Sequence, residues 1–298
     1  MWRFVAIALV GCSFQPGSRA QPDGASVADG PNIDAPPPVT CGDLTCDPHA
    51  TCHISGTASC SCGAGYTGNG MTCQDVDECA SANGNCPAAC ANTDGSFQCY
   101  APQTCAAIEA MQPGGGDGNV TLYVAGDPAK PWTAFCSGGL EYLTLPAGAA
   151  ENYAQYTARA GQGTDVRTTF SRIRLIPSTL MVDISDQKFA TSTGQLTHPS
   201  VPPVTVTSMP YAIAMDCVAN NSQTGVANID LTGTPFVVTD LFELGGFKAA
   251  GTKAPSNGGR IVALTGGGFC GWSAPAPAPS NPINAIPSAP LLDLAYSP

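Results

Sequence analysis

The sequence predicts a mainly β protein: two small disulfide-rich modules, then a larger all-β domain with one short helix. Three observations predict it. Eleven of the 15 cysteines lie between Cys41 and Cys105. From Cys105 to Trp272, short β-branched and aromatic runs alternate with Gly, Pro, Asp or Asn, which is the pattern of an all-β domain. One helix start stands out: Thr104 as N-cap before "CAAIEAM", closed by Pro113 and the glycines that follow it.

The chain opens "MWRFVAIALVGC", with Arg3 before an apolar run from Phe4 to Val10. The run falls short of the ~20 residues that span a bilayer and suits a signal-peptide core. Leu9-Val10-Gly11-Cys12 resembles the bacterial lipobox. That resemblance implies a signal peptide over 1–11 and acylation of Cys12. With Ser13 rather than Asp next, it also implies retention in an outer membrane or at the cell surface; plain secretion is the alternative. Setting Cys12 aside leaves an even number of cysteines, as an oxidising compartment favours. Residues 12–40 are rich in Pro, Gly, Asp and Ser, with "APPPVT" at the end, and read as an extended tether.

Cys41, Cys46, Cys52, Cys60, Cys62 and Cys73 frame residues 41–74. Six cysteines permit fifteen pairings, so spacing alone leaves connectivity open. The set, with its "CSCGAGYTGNGMTC" ending, resembles an EGF-like domain. The resemblance implies Cys41–Cys52, Cys46–Cys60 and Cys62–Cys73. A zinc reading would use His49 and His53, four apart among the cysteines. Pro48 and the intervening Cys52 argue against the helix that such a pair needs.

A second module begins "DVDEC" and continues "CANTDGSFQC". It resembles the calcium-binding subclass of EGF-like repeats, cut short over 75–104 because Cys99 lacks its usual close successor. The resemblance implies a calcium site. Side-chain oxygens would come from Asp75, Glu78 and Asn92, and backbone carbonyls from Val76, Thr93 and Ser96. It further implies Cys79–Cys90 and Cys86–Cys99, with Gly95 permitting the turn. A hard cation seeking six to eight oxygens suits such a set.

From Cys105 to Trp272, "TLYVAGDPAKPWTAFC", "GTDVRTTFSRIRL", "VTSMPYAIAMDC" and "GRIVALTGGGFCGW" together resemble a GON domain. That module closes some secreted metalloproteases of the disintegrin and thrombospondin-repeat class, and occurs in bacterial surface proteins. Its opening also resembles fibrinogen-like domains, whose first two cysteines pair. This implies Cys105–Cys136 and leaves Cys217 with Cys270. Residues 273–298, containing "APAPAP", read as a Pro-rich tail whose "LLDL" offers an apolar segment for packing back.

A formal net charge of −11 argues against nucleic acid, which favours a basic face. None of His49, His53 and His198 is followed by Glu, so the H-E-x-x-H of zinc proteases is missing. Gly266 to Gly271 fits G-x-G-x-x-G, but Trp272-Ser273-Ala274-Pro275 follows instead of a helix. Asp183 and Asp186 read as strand-end and turn residues rather than a catalytic pair. Trp132 and Trp272 read as core aromatics beside cysteines, with glycan stacking as the rival role. The expectation is a non-enzymatic, calcium-binding adhesion or interaction protein. It would be lipid-anchored to the membrane and would contact extracellular protein or glycan through its GON domain. The alternative is a non-catalytic accessory of a zinc metalloendopeptidase system.

Overall fold

A computed structural model describes residues 37–298 except 112, 115, 116, 281 and 285–290. The signal segment, Cys12 and the tether up to residue 36 lie outside the described residues. The chain divides into two compact units at Gln74 and Asp75.

In the first unit, Val39–Cys41 pairs with Leu44–Cys46, and Ala50–Ser55 pairs with Thr57–Cys62. Bridges join Cys41–Cys52, Cys46–Cys60 and Cys62–Cys73. Cys41 and Cys46 are the buried side chains among its described residues. With so little apolar burial, the bridges carry the stability, each worth ~2–4 kcal/mol through the unfolded chain. Asp47 ties the ends together: its carboxylate accepts from the backbone N–H of His49 at 2.9 Å and of Cys73 at 2.9 Å.

The second unit begins with the truncated repeat. The one-turn helix Glu78–Ala80 packs against the hairpin Ala89–Thr93/Ser96–Tyr100. Cys79–Cys90 and Cys86–Cys99 hold the two parts together. The chain then passes straight into the β-domain. The N–H of Tyr123 donates to Pro102 O at 2.8 Å. Asn83, Cys90 and Tyr100 share a cleft with Pro102, Ile108 and Val120. The place of the missing third loop is thus taken by the first helix and strand of the next domain.

That helix is Cys105–Met111. Thr104 Oγ1 accepts from the Ala107 N–H at 3.1 Å, and the buried Glu141 carboxylate accepts from the Cys105 N–H at 2.8 Å. Two donors left open by the first turn are thereby satisfied. Cys105–Cys136 staples the helix to the strand Pro131–Ser137.

Two large sheets build the β-domain, with Leu196–His198 and Val204–Val206 as a separate pair. The first is antiparallel, in the order Phe236–Val238, Leu291–Tyr296, Met181–Asp183, Arg172–Ile176, Leu140–Thr144, Pro131–Ser137 and Gly118–Tyr123. The main path of the second runs Phe242–Gly246, Gly271–Pro275, Ala214–Asp216, Tyr153–Thr157, Gly225–Asp230, Ile261–Gly267 and Ala250–Ser256. Val166–Phe170 also pairs with Tyr153–Thr157 and carries Ala190–Thr193. Inward positions alternate along Val166–Phe170, Arg172–Ile176 and Gly225–Asp230, and both sheets feed one core. Among its fully buried side chains are Leu122, Tyr156, Phe170, Leu175 and Ile184.

The structure corrects the expectation of a tail from Ser273. Gly271–Pro275 is buried along its whole length. Leu291–Tyr296 lies inside the first sheet, with Leu292 and Leu294 buried. The prolines suggest a loosely ordered tail, but the "LLDL" segment does pack back: two leucines at alternating positions seat it as a strand between two others.

Cys217–Cys270 closes the far end of the second sheet. The Tyr156 hydroxyl donates to Cys217 Sγ and lies 2.9 Å from Nδ1 of His198. Burial pushes the His198 imidazole below its ordinary value of 6.5. The folded chain therefore binds that proton less readily than the unfolded chain. Stability is expected to fall as pH drops below about 6.5 and to level off once the folded imidazole also protonates. Urea midpoints measured between pH 7 and pH 5 should decline less steeply in His198→Gln than in the parent.

Candidate calcium site

The hairpin Ala89–Thr93/Ser96–Tyr100 turns through Asp94-Gly95, with Gly95 at φ +70°. That left-handed backbone suits glycine. The turn aims the Gly95 N–H at Asp75 Oδ1, 2.6 Å away. On the same edge, Asn92 Nδ2 donates to Asp75 Oδ2 at 2.7 Å. Thr93 and Ser96 are directly paired at the hairpin end. Asp75, Asn92, Thr93 and Ser96 therefore meet at one place, although Asp75 and Asn92 are separated by 17 residues in sequence.

Val76 follows Asp75, and Glu78 opens the short helix packed against both hairpin strands. Asp77 was not among the expected functional residues. It is the N-cap of this turn, accepting from the Ala80 N–H at 3.2 Å; the "DEC" stretch is where that signal lay. Glu78 Oε2 is buried and meets no hydrogen-bond partner among the described residues. A dry carboxylate oxygen without a donor is costly unless a positive charge stands beside it. Asp75 uses one lone pair on each oxygen for Gly95 and Asn92, which leaves a second on each. Two carboxylates, one amide and the backbone carbonyls of the hairpin end form a donor set of hard oxygens. It fits calcium, which would add a positive charge and cross-link the acidic entry segment to the hairpin.

The other candidate groups are engaged elsewhere. His49 lies 3.2 Å from Asp47 Oδ1 and stacks on Tyr66, while His53 Nε2 lies 2.8 Å from Ser61 Oγ. Their neighbouring cysteines are bridged. Asp183 pairs with Arg174 at 3.2 Å, and Asp186 accepts from the Tyr142 hydroxyl at 3.1 Å. Burial and the Asp186 charge push the Tyr142 hydroxyl up to about 12. The glycine run at 266–271 connects two strands. Trp132 and Trp272 are 3% and 7% exposed, so neither indole offers a face for stacking sugars.

Fold and site together define a modular, disulfide-framed β-protein built on EGF-like repeats. Family models identify the modules in the same order. Complement Clr-like EGF-like matches residues 58–78, Calcium-binding EGF domain 75–110 and GON domain 157–283. The GON match begins at the last residue of Tyr153–Thr157, so the helix, the first three strands, nearly all of the fourth and the last strand of the structural domain lie outside it. Curated relatives match over short stretches of this chain. Mouse uromodulin is 47% identical over 57 residues, 18% of this chain and 9% of that protein. Bovine thrombomodulin is 39% identical over 80 residues, 26% of this chain and 22% of that protein. Rat adhesion G protein-coupled receptor L4 is 49% identical over 59 residues, 18% of this chain and 8% of that protein. The chain thus covers less than a quarter of the length of each of these relatives. No solved structure matches it.

Proposed function

We propose that this chain is an extracellular interaction protein. Calcium held by Asp75, Glu78, Asn92 and the carbonyls of Val76, Thr93 and Ser96 fixes the truncated repeat. The GON domain presents the contact surface for protein or glycan, and acylated Cys12 anchors the chain to the outer membrane. The observation that carries the reading is the buried Glu78 oxygen, unpartnered among the described residues, on the short helix that packs against the hairpin carrying Asn92. The match to the calcium-binding EGF model supports it, as does a relative named as an adhesion receptor.

Extracellular modules of this type bind calcium with Kd of roughly 10⁻⁴–10⁻³ M. At calcium ten times Kd, binding to the folded form alone adds about 1.4 kcal/mol. Thermal unfolding should therefore shift upward with millimolar calcium and return with chelator. Glu78→Gln should weaken the calcium dependence at least about tenfold. An unchanged melting temperature, or an unaltered calcium response in Glu78→Gln, would reject the site. Partner capture from extracellular material, with and without calcium, then tests the interaction role separately.

A further inference from the structure

A cavity of about 520 Å³ opens beside the Cys217–Cys270 bridge. Its walls include Arg159, Gln162, Pro199, Phe247 and Phe269. Phe247 and Phe269 are 61% and 41% exposed and meet edge to face with centroids 6.2 Å apart. Two large rings left open at one cavity are an unspent apolar surface.

Charge marks the same place. Arg159 Cζ sits 5.7 Å from the Phe269 centroid, and Lys248 Nζ sits 5.7 Å from that of Phe247. Every other cationic side chain among the described residues reaches an oxygen acceptor. Arg159 and Lys248 reach none among the described residues, although the chain carries a net charge of −11. The nearby acids are already engaged. Asp165 accepts from the Ala158 N–H and from Gln155, and the buried Asp216 accepts from Ser222, Thr224 and Gly268. Gln162, which also lines the cavity, accepts from the Arg159 N–H through Oε1 at 2.9 Å.

We propose that this cavity binds a carboxylate carried on an apolar body. The charge would lie at Arg159, with Lys248 beyond the Phe247 ring adding to the positive field, and the body would rest against the exposed surfaces of Phe247 and Phe269. The neutral side-chain donors are too few for a sugar, which needs several per ring. Apolar walls with cations at the rim suit an aryl or short acyl acid. The same chemistry is offered by a free organic acid and by the C-terminal residue of a peptide. The site is independent of the calcium reading, since none of its residues lies in the EGF-like repeats.

The test is a titration of the ¹⁵N-labelled full chain, disulfides formed, with N-acetylphenylalanine, its amide, 3-phenylpropionate and a tetrapeptide ending in Phe. Saturable shifts confined to the amides of residues 159–162, 247–248 and 269–270 are expected for the acids. A charge-assisted contact is worth roughly ten- to a hundredfold in affinity. The amide, and Arg159→Gln titrated with the acid, should therefore both bind at least about tenfold more weakly. Phe247→Ala should weaken every ligand alike. Tighter binding of the tetrapeptide than of 3-phenylpropionate assigns a peptide terminus; equal binding assigns a free acid. Equal binding of acid and amide, unaltered affinity in Arg159→Gln, or shifts spread over both sheets would overturn the proposal.

Discussion

Ending the chain at Asn284 leaves the β-domain unable to fold. The strand Leu291–Tyr296 is hydrogen-bonded on both edges, to Met181–Asp183 and to Phe236–Val238. Its Leu292 and Leu294 are buried. The Tyr296 ring meets Phe236 edge-on at 5.8 Å, and its hydroxyl donates to Pro131 O at 3.0 Å. Without the strand, Val182 and Phe236, both fully buried, would face water. Loss of a single buried leucine costs about 2–5 kcal/mol. Two leucines, a tyrosine and two ladders exceed the ~5–15 kcal/mol that a typical domain possesses. Soluble yield and near-ultraviolet circular dichroism of the truncated chain are the readouts. Cooperative unfolding in the truncated protein would contradict the central placement of this strand. Leu292→Asp should reproduce the defect with the full chain length retained.

Asp216→Ala is expected to be the most damaging single substitution to a polar side chain. Asp216 is fully buried. Oδ1 accepts from the Gly268 N–H at 2.9 Å, the Val218 N–H at 3.3 Å and the Ser222 hydroxyl at 2.6 Å. Oδ2 accepts from the Thr224 N–H and hydroxyl, both at 2.8 Å. Alanine removes every acceptor at once and strands donors that water cannot easily reach. The hydroxyls can rotate to other acceptors, but each of the three stranded N–H groups costs about 1–3 kcal/mol, so a loss of at least about 3 kcal/mol follows. Asp216→Asn keeps the shape but sets an amide donor against N–H groups, and should fall between. Gly267 belongs to the same arrangement, because a Cβ there would stand 2.1 Å from Asp216 Oδ2. Urea unfolding under oxidising conditions measures the effect. A change below about 1 kcal/mol in Asp216→Ala would show that the carboxylate does not organise this end of the sheet.

Much of the architecture was legible because its signals are local. Cysteine spacing marked the small modules, and runs such as "WTAFC", "RIRLI" and "ANIDL" each hold strand residues. Thr104 announced its helix. The proposed calcium donors lie within one 22-residue motif, from Asp75 to Ser96, so a pattern could place them together. Other features lacked such signals. The "LLDL" of the last strand was visible as an apolar segment that could pack back, but its place between two strands distant in sequence was not. Asp216 is one acid beside a cysteine, and only the fold surrounds it with donors. The cavity draws on residues near 160, 199, 217, 247 and 270, which no window of sequence could assemble.

The position of Leu291–Tyr296 also sets a timetable. A ribosome delivers residues in order, and this interior strand comes after every other strand of both sheets. Until residue 296 emerges, Met181–Asp183 and Phe236–Val238 each keep an unpaired edge, and the core they cover is open. The nascent sheet therefore waits with a strand-shaped gap in its middle. Such a gap invites a neighbouring chain's strand as readily as its own. Crowded expression should then produce strand-exchanged aggregates of this domain, while each cysteine-framed module, built from contacts close in sequence, can close as soon as its own cysteines have appeared.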